Sequence, residues 1–125
     1  MKEIISTDKA PAAIGPYSQA VKAGDTLYIS GQLPVDPATG KIVEGDISKQ
    51  TDQVLKNIGS VLEEAGYSYS DVVKSTVLLD NMDNFKAMND VYGKYYGENP
   101  PARAAYQVAK LPLSVMVEIE TIAVK

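Results

Sequence analysis

From Val115 to Val124 the chain alternates without a break, and that run limits what the rest of it can become. Val115, Val117, Ile119, Thr121 and Ala123 fall on one side of an extended strand. Met116, Glu118, Glu120, Ile122 and Val124 fall on the other, because successive side chains of a strand point to opposite faces. The first face is fit for a core. The second sets two carboxylates among apolar neighbours, about 6.6 Å apart along the strand.

Just upstream stands Arg103, the only arginine. Eleven lysines carry every other positive side-chain charge, so bulk charge does not call for a guanidinium there. Arg103, Ala105, Gln107 and Ala109 share one face of a second extended segment, and the short connection Lys110–Ser114 predicts that the two strands lie side by side as an antiparallel pair. On that expectation Arg103 looks across at Glu118 or Glu120, with space in front of Ala105. A guanidinium is planar, permanently charged and forked, matching a carboxylate two hydrogen bonds at a time, so a small carboxylic acid is its natural ligand. An internal ion pair with Glu118 or Glu120 is the alternative at this point, although two acids for one base leave one acid unexplained.

What else the chain can do is bounded by what it lacks. With 125 residues and 45% hydrophobic content it makes one domain, residues 1–125. There is no cysteine and no histidine, which removes thiol nucleophiles, disulfides, the usual zinc sites and the commonest general base. Any catalysis runs on carboxylates, tyrosine, lysine, hydroxyls, backbone groups and water. A net charge of -4 with no basic cluster makes nucleic acid a poor partner. No apolar run resembles a signal peptide or a membrane span, so a cytoplasmic location is expected.

In chain order, Lys2–Ser6 reads as a first strand and residues 8–17 as a loop pinned by Pro11 and Pro16, with Tyr17 at its end. There Tyr17 offers either a hydroxyl to a site or an aromatic lid to the sheet. Ser18–Val21 and Thr26–Ser30 flank Ala23-Gly24-Asp25 as a hairpin, and Gly31 marks a sharp turn or a close approach. Pro34 to Gly40 is an ordered loop. Asp46 or Ser48 caps a helix carrying Ile47, Val54, Leu55, Ile58, Val61, Leu62 and Ala65, which Gly66 stops; Gly59 within it implies close packing against the sheet. Val72–Leu79 is a strand. Asn81 or Asp83 caps a second helix with Phe85, Met88, Val91, Tyr92 and Tyr95 inward, ended by Gly97; Asn89 is its one polar residue of interest. Six strands and two helices predict an α+β sandwich, both helices on one face of a mixed, mostly antiparallel sheet. The open face is expected to carry Arg103 and Glu118 and to be covered by another copy of the chain.

The segments Ala10-Pro11-Ala12-Ala13-Ile14-Gly15-Pro16-Tyr17-Ser18-Gln19-Ala20, Tyr28-Ile29-Ser30-Gly31-Gln32, Pro101-Ala102-Arg103-Ala104 and Val117-Glu118-Ile119-Glu120 together resemble the RidA (YjgF-type) enamine/imine deaminase family. The likeness spans nearly the whole chain. It implies a chorismate mutase-like fold, a homotrimer with active sites between subunits, and neither metal nor organic cofactor. It implies hydrolysis of the 2-imino acids released by pyridoxal-phosphate dehydratases, such as 2-iminobutanoate and 2-iminopropanoate, to 2-keto acids and ammonia. By position Arg103 would grip the substrate carboxylate, and Glu118, kept ionised by a nearby Arg103, would activate water. Tyr17, Asn89 and the backbone of Gly31 would line the cleft. Ala105 replaces a cysteine common in relatives, which puts thiol-dependent activity in doubt, while its backbone still offers substrate contacts. A sensor that binds small carboxylates without turnover, a ribonuclease or translation inhibitor, and a purely structural trimer are the competing readings.

Overall fold

Eight strands and two helices make up the computed structural model, which describes residues 1–125: β1 (Lys2–Ile5), β2 (Ala20–Ala23), β3 (Thr26–Gln32), β4 (Val35–Asp36), β5 (Lys41–Ile42), α1 (Ile47–Glu64), β6 (Val72–Leu79), α2 (Phe85–Tyr96), β7 (Ala102–Gln107) and β8 (Val117–Val124). Six of the strands form one sheet in the order β1-β2-β3-β8-β6-β7. All its pairs are antiparallel except β6 with β7. The α+β architecture expected from the sequence is therefore the one adopted. Residues 34–40, expected as a loop, contribute β4, which pairs with β5 in a small separate ribbon.

Local signals explain the helices. The Asp46 carboxylate accepts from the Lys49 backbone N–H at 3.1 Å and caps α1. At the other end Gly66 turns left-handed at φ 82°, and the Tyr67 N–H returns to the Leu62 carbonyl at 2.8 Å. Between them Val54, Leu55, Ile58, Val61 and Leu62 keep helical spacing and are buried against the sheet, each contributing about 1.5–3 kcal/mol through burial. Gly59 makes its close approach to Tyr69 rather than to the sheet: a β-carbon there would meet the Tyr69 ring, whose hydroxyl donates to the Leu55 carbonyl at 2.6 Å. A 3-10 turn at Met82–Asn84, opened by Asn81, leads into α2. Met88, Val91, Tyr92 and Tyr96 of α2 are buried, and the half-buried Tyr95 donates to Asp52 of α1 at 2.5 Å.

One expectation about the sheet is overturned. β7 and β8 do not pair; β6 lies between them. Parallel strands need a long crossover, and α2 supplies it between β6 and β7, burying its apolar stripe in doing so. β8 has the most regular apolar face, with Val117, Ile119, Thr121 and Ala123 all buried, and takes a central place with ladders on both sides. β7, mostly exposed, closes the edge.

Candidate active site

On the face of the sheet away from the helices, Glu118 overhangs the backbone of Gly31. β3 and β8 run in register as far as Ile29 opposite Thr121, and resume at Gln32 opposite Ile119, so β3 carries one extra residue between. This bulge swings the Ser30–Gly31 backbone toward β8. A β-carbon at position 31 would collide with a Glu118 carboxylate oxygen, so glycine is required there by packing. The bulge is held from behind: Ser30 Oγ donates to the Ser18 carbonyl at 2.6 Å, and the Ser30 N–H donates to the Gln19 carbonyl at 3.0 Å. Buried Gln19 also ties down the preceding loop, accepting from the Thr7 N–H at 2.7 Å and donating to the Pro11 carbonyl at 2.7 Å.

These segments frame a groove of about 840 Å³ whose walls include Tyr17, Gly31, Glu118 and Glu120 with Ile14 and Leu113. Tyr17, Gly31 and Glu118, separated widely in sequence, are thus brought together. Burial raises the pKa of Glu118 above the usual carboxylate value, and the neighbouring Glu120 raises it further. Within one chain it is therefore burial and Glu120, not Arg103, that act on Glu118, and they favour its protonated form. Leu113 on the groove wall and the following Ser114 both occupy the left-handed region, at φ 56° and 55°, an uncommon conformation for residues other than glycine.

Arg103 lies elsewhere. Its cross-strand partner on β6 is Ser75, whose own partner on β8 is Thr121, and both Ser75 and Thr121 are buried under the helices. Arg103 therefore faces the helix side at the sheet edge, while Glu118, opposite Leu78, faces the open side. The expectation that both stand on the open face is corrected by this register. Two strand spacings, roughly 10 Å, and the thickness of the sheet separate them. Within one chain Arg103 makes no ion pair; the two salt bridges are Lys56–Asp52 and Lys86–Asp90 on the helices, so a pair that closes the chain's own sheet is not formed. Its Nη1 donates to Asn89 Oδ1 at 2.7 Å, and its guanidinium carbon lies 4.9 Å from the Tyr92 ring centroid and 5.4 Å from that of Phe85. Ala105 is on the same face of β7, opposite Val77 and packed against the core.

The chain thus presents two separate clusters of candidate residues. One holds a forked cation with Asn89 and Ala105 beside it. The other holds a proton-accepting acid with Tyr17 and the Gly31 backbone. Sequence reasoning placed Phe85 and Tyr92 only in the core and missed their contact with Arg103. The spacing of Phe85, Asn89 and Tyr92 along one helical stripe was the available signal. No three carboxylates gather closely enough to hold a metal ion.

Comparison with known proteins matches residues 7–125 to the family described as Endoribonuclease L-PSP. The RutC family protein PH0854 of Pyrococcus horikoshii is 58% identical over 125 residues, covering 100% of this chain and 99% of its own. The 2-iminobutanoate/2-iminopropanoate deaminase of Capra hircus is 56% identical over 125 residues, covering 100% of this chain and 91% of its own. Among solved structures, YyfA of Yersinia pestis, a protein of the Rid family, superposes with a TM-score of 0.97 at 48% identity, covering 100% of both chains. Escherichia coli TdcF with bound serine superposes with a TM-score of 0.95 at 41% identity, covering 98% of both.

Proposed function

The chain belongs to the Endoribonuclease L-PSP family, which takes in the Rid proteins, and on that premise we propose that it hydrolyses 2-imino acids and their enamine tautomers to 2-keto acids and ammonia. The observation that carries this reading is the pair of half-sites: a guanidinium with most of its donors unpaired, and an acid whose proton affinity is raised by burial. A 2-imino acid offers a carboxylate to the first and an electrophilic carbon to the second. Homologues at about this level of identity carry the deaminase name.

In the reaction Arg103 binds the substrate carboxylate through its fork and fixes the orientation of the adjacent C=N bond. Water attacks that carbon as Glu118 removes its proton, giving a tetrahedral intermediate with a new C–O bond. Glu118 passes this proton to nitrogen, giving a carbinolamine; it then takes the proton of the new hydroxyl and delivers it to the same nitrogen as C–O becomes C=O and the C–N bond breaks, so the keto acid and ammonia leave. A carboxylate with a raised pKa suits both directions of this transfer better than an ordinary one. Tyr17 and the half-buried Gly31 backbone lie beside the reacting carbon in this arrangement.

Arg103 and Glu118 of one chain cannot share a substrate through their own sheet. The reading therefore requires that the Arg103 edge of one copy meets the Glu118 groove of another, in a cyclic assembly of the kind that gives a trimer. The open sheet face, with Ile4, Tyr28 and Val124 exposed, supplies apolar surface for such contact.

The test is a semicarbazide competition: an amino-acid oxidase or threonine dehydratase generates the imine, and semicarbazone formation is followed with the wild type and with Arg103→Ala. Suppression by the wild type alone is the expected result. Suppression by neither, across several imino acids, sinks the proposal. The bound serine of TdcF favours one second reading, a binder of small amino or keto acids without turnover, which would show ligand-induced thermal stabilisation in the absence of hydrolysis.

A further inference from the structure

We propose that Phe85 and Tyr92 are positioning residues for Arg103, two rings of α2 that hold its guanidinium with the open edge of the fork turned to the substrate. The proposal rests on the deaminase reading for its kinetic test. Residues 85, 89 and 92 fall on one helical stripe, and all three touch the same cation. The guanidinium carbon is within the 6 Å range of cation–π attraction for both rings. Asn89 takes one N–H of Nη1, which sets the rotation of the planar group and leaves the remaining donors free.

Holding matters because Arg103 is on an exposed edge strand with no carboxylate beside it. An unrestrained arginine there samples many rotamers, and ordering it when substrate arrives weakens binding. The rings are themselves fixed. Tyr92 is buried and packs at a tilt on Tyr96, 4.7 Å between centroids, while its hydroxyl is buried without a hydrogen-bond partner, so the ring and not the hydroxyl holds its place. Phe85 starts α2 directly after the 3-10 turn, and the Met82 N–H of that turn donates to Gln107 Oε1 at 2.8 Å. β7 therefore carries the arginine and also anchors the turn that sets the Phe85 ring.

Imine hydrolysis would be measured for Tyr92→Leu, Tyr92→Phe and Phe85→Leu, each alone and combined with Arg103→Ala. Tyr92→Leu and Phe85→Leu should each raise KM about tenfold with kcat little changed, and Tyr92→Phe should behave as the wild type. With Arg103 already removed, the leucine substitutions should add nothing to the loss in kcat/KM. The proposal fails if the effect persists undiminished in Arg103→Ala, if it falls on kcat at constant KM, or if Tyr92→Phe reproduces it. Should Tyr92→Leu not fold, Phe85→Leu decides alone, since that ring is only partly buried. If the wild type hydrolyses no imino acid, the deaminase reading has failed by itself. The rings are then judged on 2-oxobutanoate, whose Kd should weaken about tenfold in the same variants and whose unchanged Kd overturns the proposal.

Discussion

Replacing Gly31 with alanine isolates the proposed catalytic acid, Glu118, without touching it. Gly31 does not occupy the left-handed region, so alanine brings no backbone strain, and the only conflict is with Glu118. The new β-carbon would lie 2.9 Å from the Glu118 Cδ and 3.2 Å from its Cγ, closer than ordinary carbon contacts, with the carboxylate oxygen nearer still. The atoms that must yield are the end of a flexible side chain, so the fold loses little, on the order of 1 kcal/mol or less, and Tm falls by no more than about 4 °C. The carboxylate, however, must move by about 1 Å, and a displacement of that size at a reacting group costs on the order of a hundredfold in rate. We expect Gly31→Ala to lower kcat about a hundredfold while KM, governed by Arg103, changes a few-fold at most. Gly31→Ala combined with Glu118→Gln should be no slower than Glu118→Gln alone, because both act through the same group. Wild-type turnover in Gly31→Ala, or full additivity in the double variant, would refute the placement of Glu118 over Gly31 as the working geometry.

Arg103→Lys keeps the charge but loses the fork that serves Asn89 and a carboxylate together; losing one charge-assisted bond, about 1.5–3 kcal/mol, lowers kcat/KM roughly 10- to 140-fold, and an unchanged value would remove Arg103 from substrate binding. Because burial and Glu120 raise the Glu118 pKa, kcat/KM should climb with pH through a value above the ordinary 4.5, as the base becomes ionised, and that limb should vanish in Glu118→Gln. The same shift has a stability sign: the proton bound more tightly in the fold stabilises it below the ordinary pKa, and this is lost as pH rises through the raised one. Glu118→Gln should therefore gain in Tm over the wild type as pH increases from about 4 to 7, and a constant difference would contradict the desolvation. Leu113→Gly should raise stability by about 0.5–1 kcal/mol, since Leu113 is 67% exposed at φ 56° and glycine relieves the left-handed strain; a lower Tm would show that its side chain makes contacts worth more than the strain.

Periodicity carried most of the fold. The strict alternation of Val115–Val124 and the helical spacing from Ile47 to Ala65 each report which face is buried, and burial is what sequence pattern encodes most directly. Strand order was not legible from the same signals. Lys110–Ser114 is short enough for a hairpin, yet α2 buries its stripe only if β7 docks beside β6, a tertiary condition that no local window contains. The error propagated into the site, because a β7–β8 pair would have put Arg103 and Glu118 on one surface. A lone guanidinium and two carboxylates on a strand face are chemically conspicuous, and Gly31 announced a close approach, although its partner, the Glu118 carboxylate, could be identified only in three dimensions. The rings around Arg103 went unseen because Phe85 and Tyr92 fit the core pattern equally well.

The division of the two charged groups between opposite faces of one sheet has a genetic consequence. In the proposed ring, damage to Arg103 and damage to Glu118 are not equivalent lesions, since each spoils only one of the two contacts its chain makes. Two inactive alleles of different kinds, expressed together, would assemble into rings in which about a quarter of the contacts bring an intact arginine edge to an intact glutamate groove. Two inactive alleles of the same kind would recover none, however they mix.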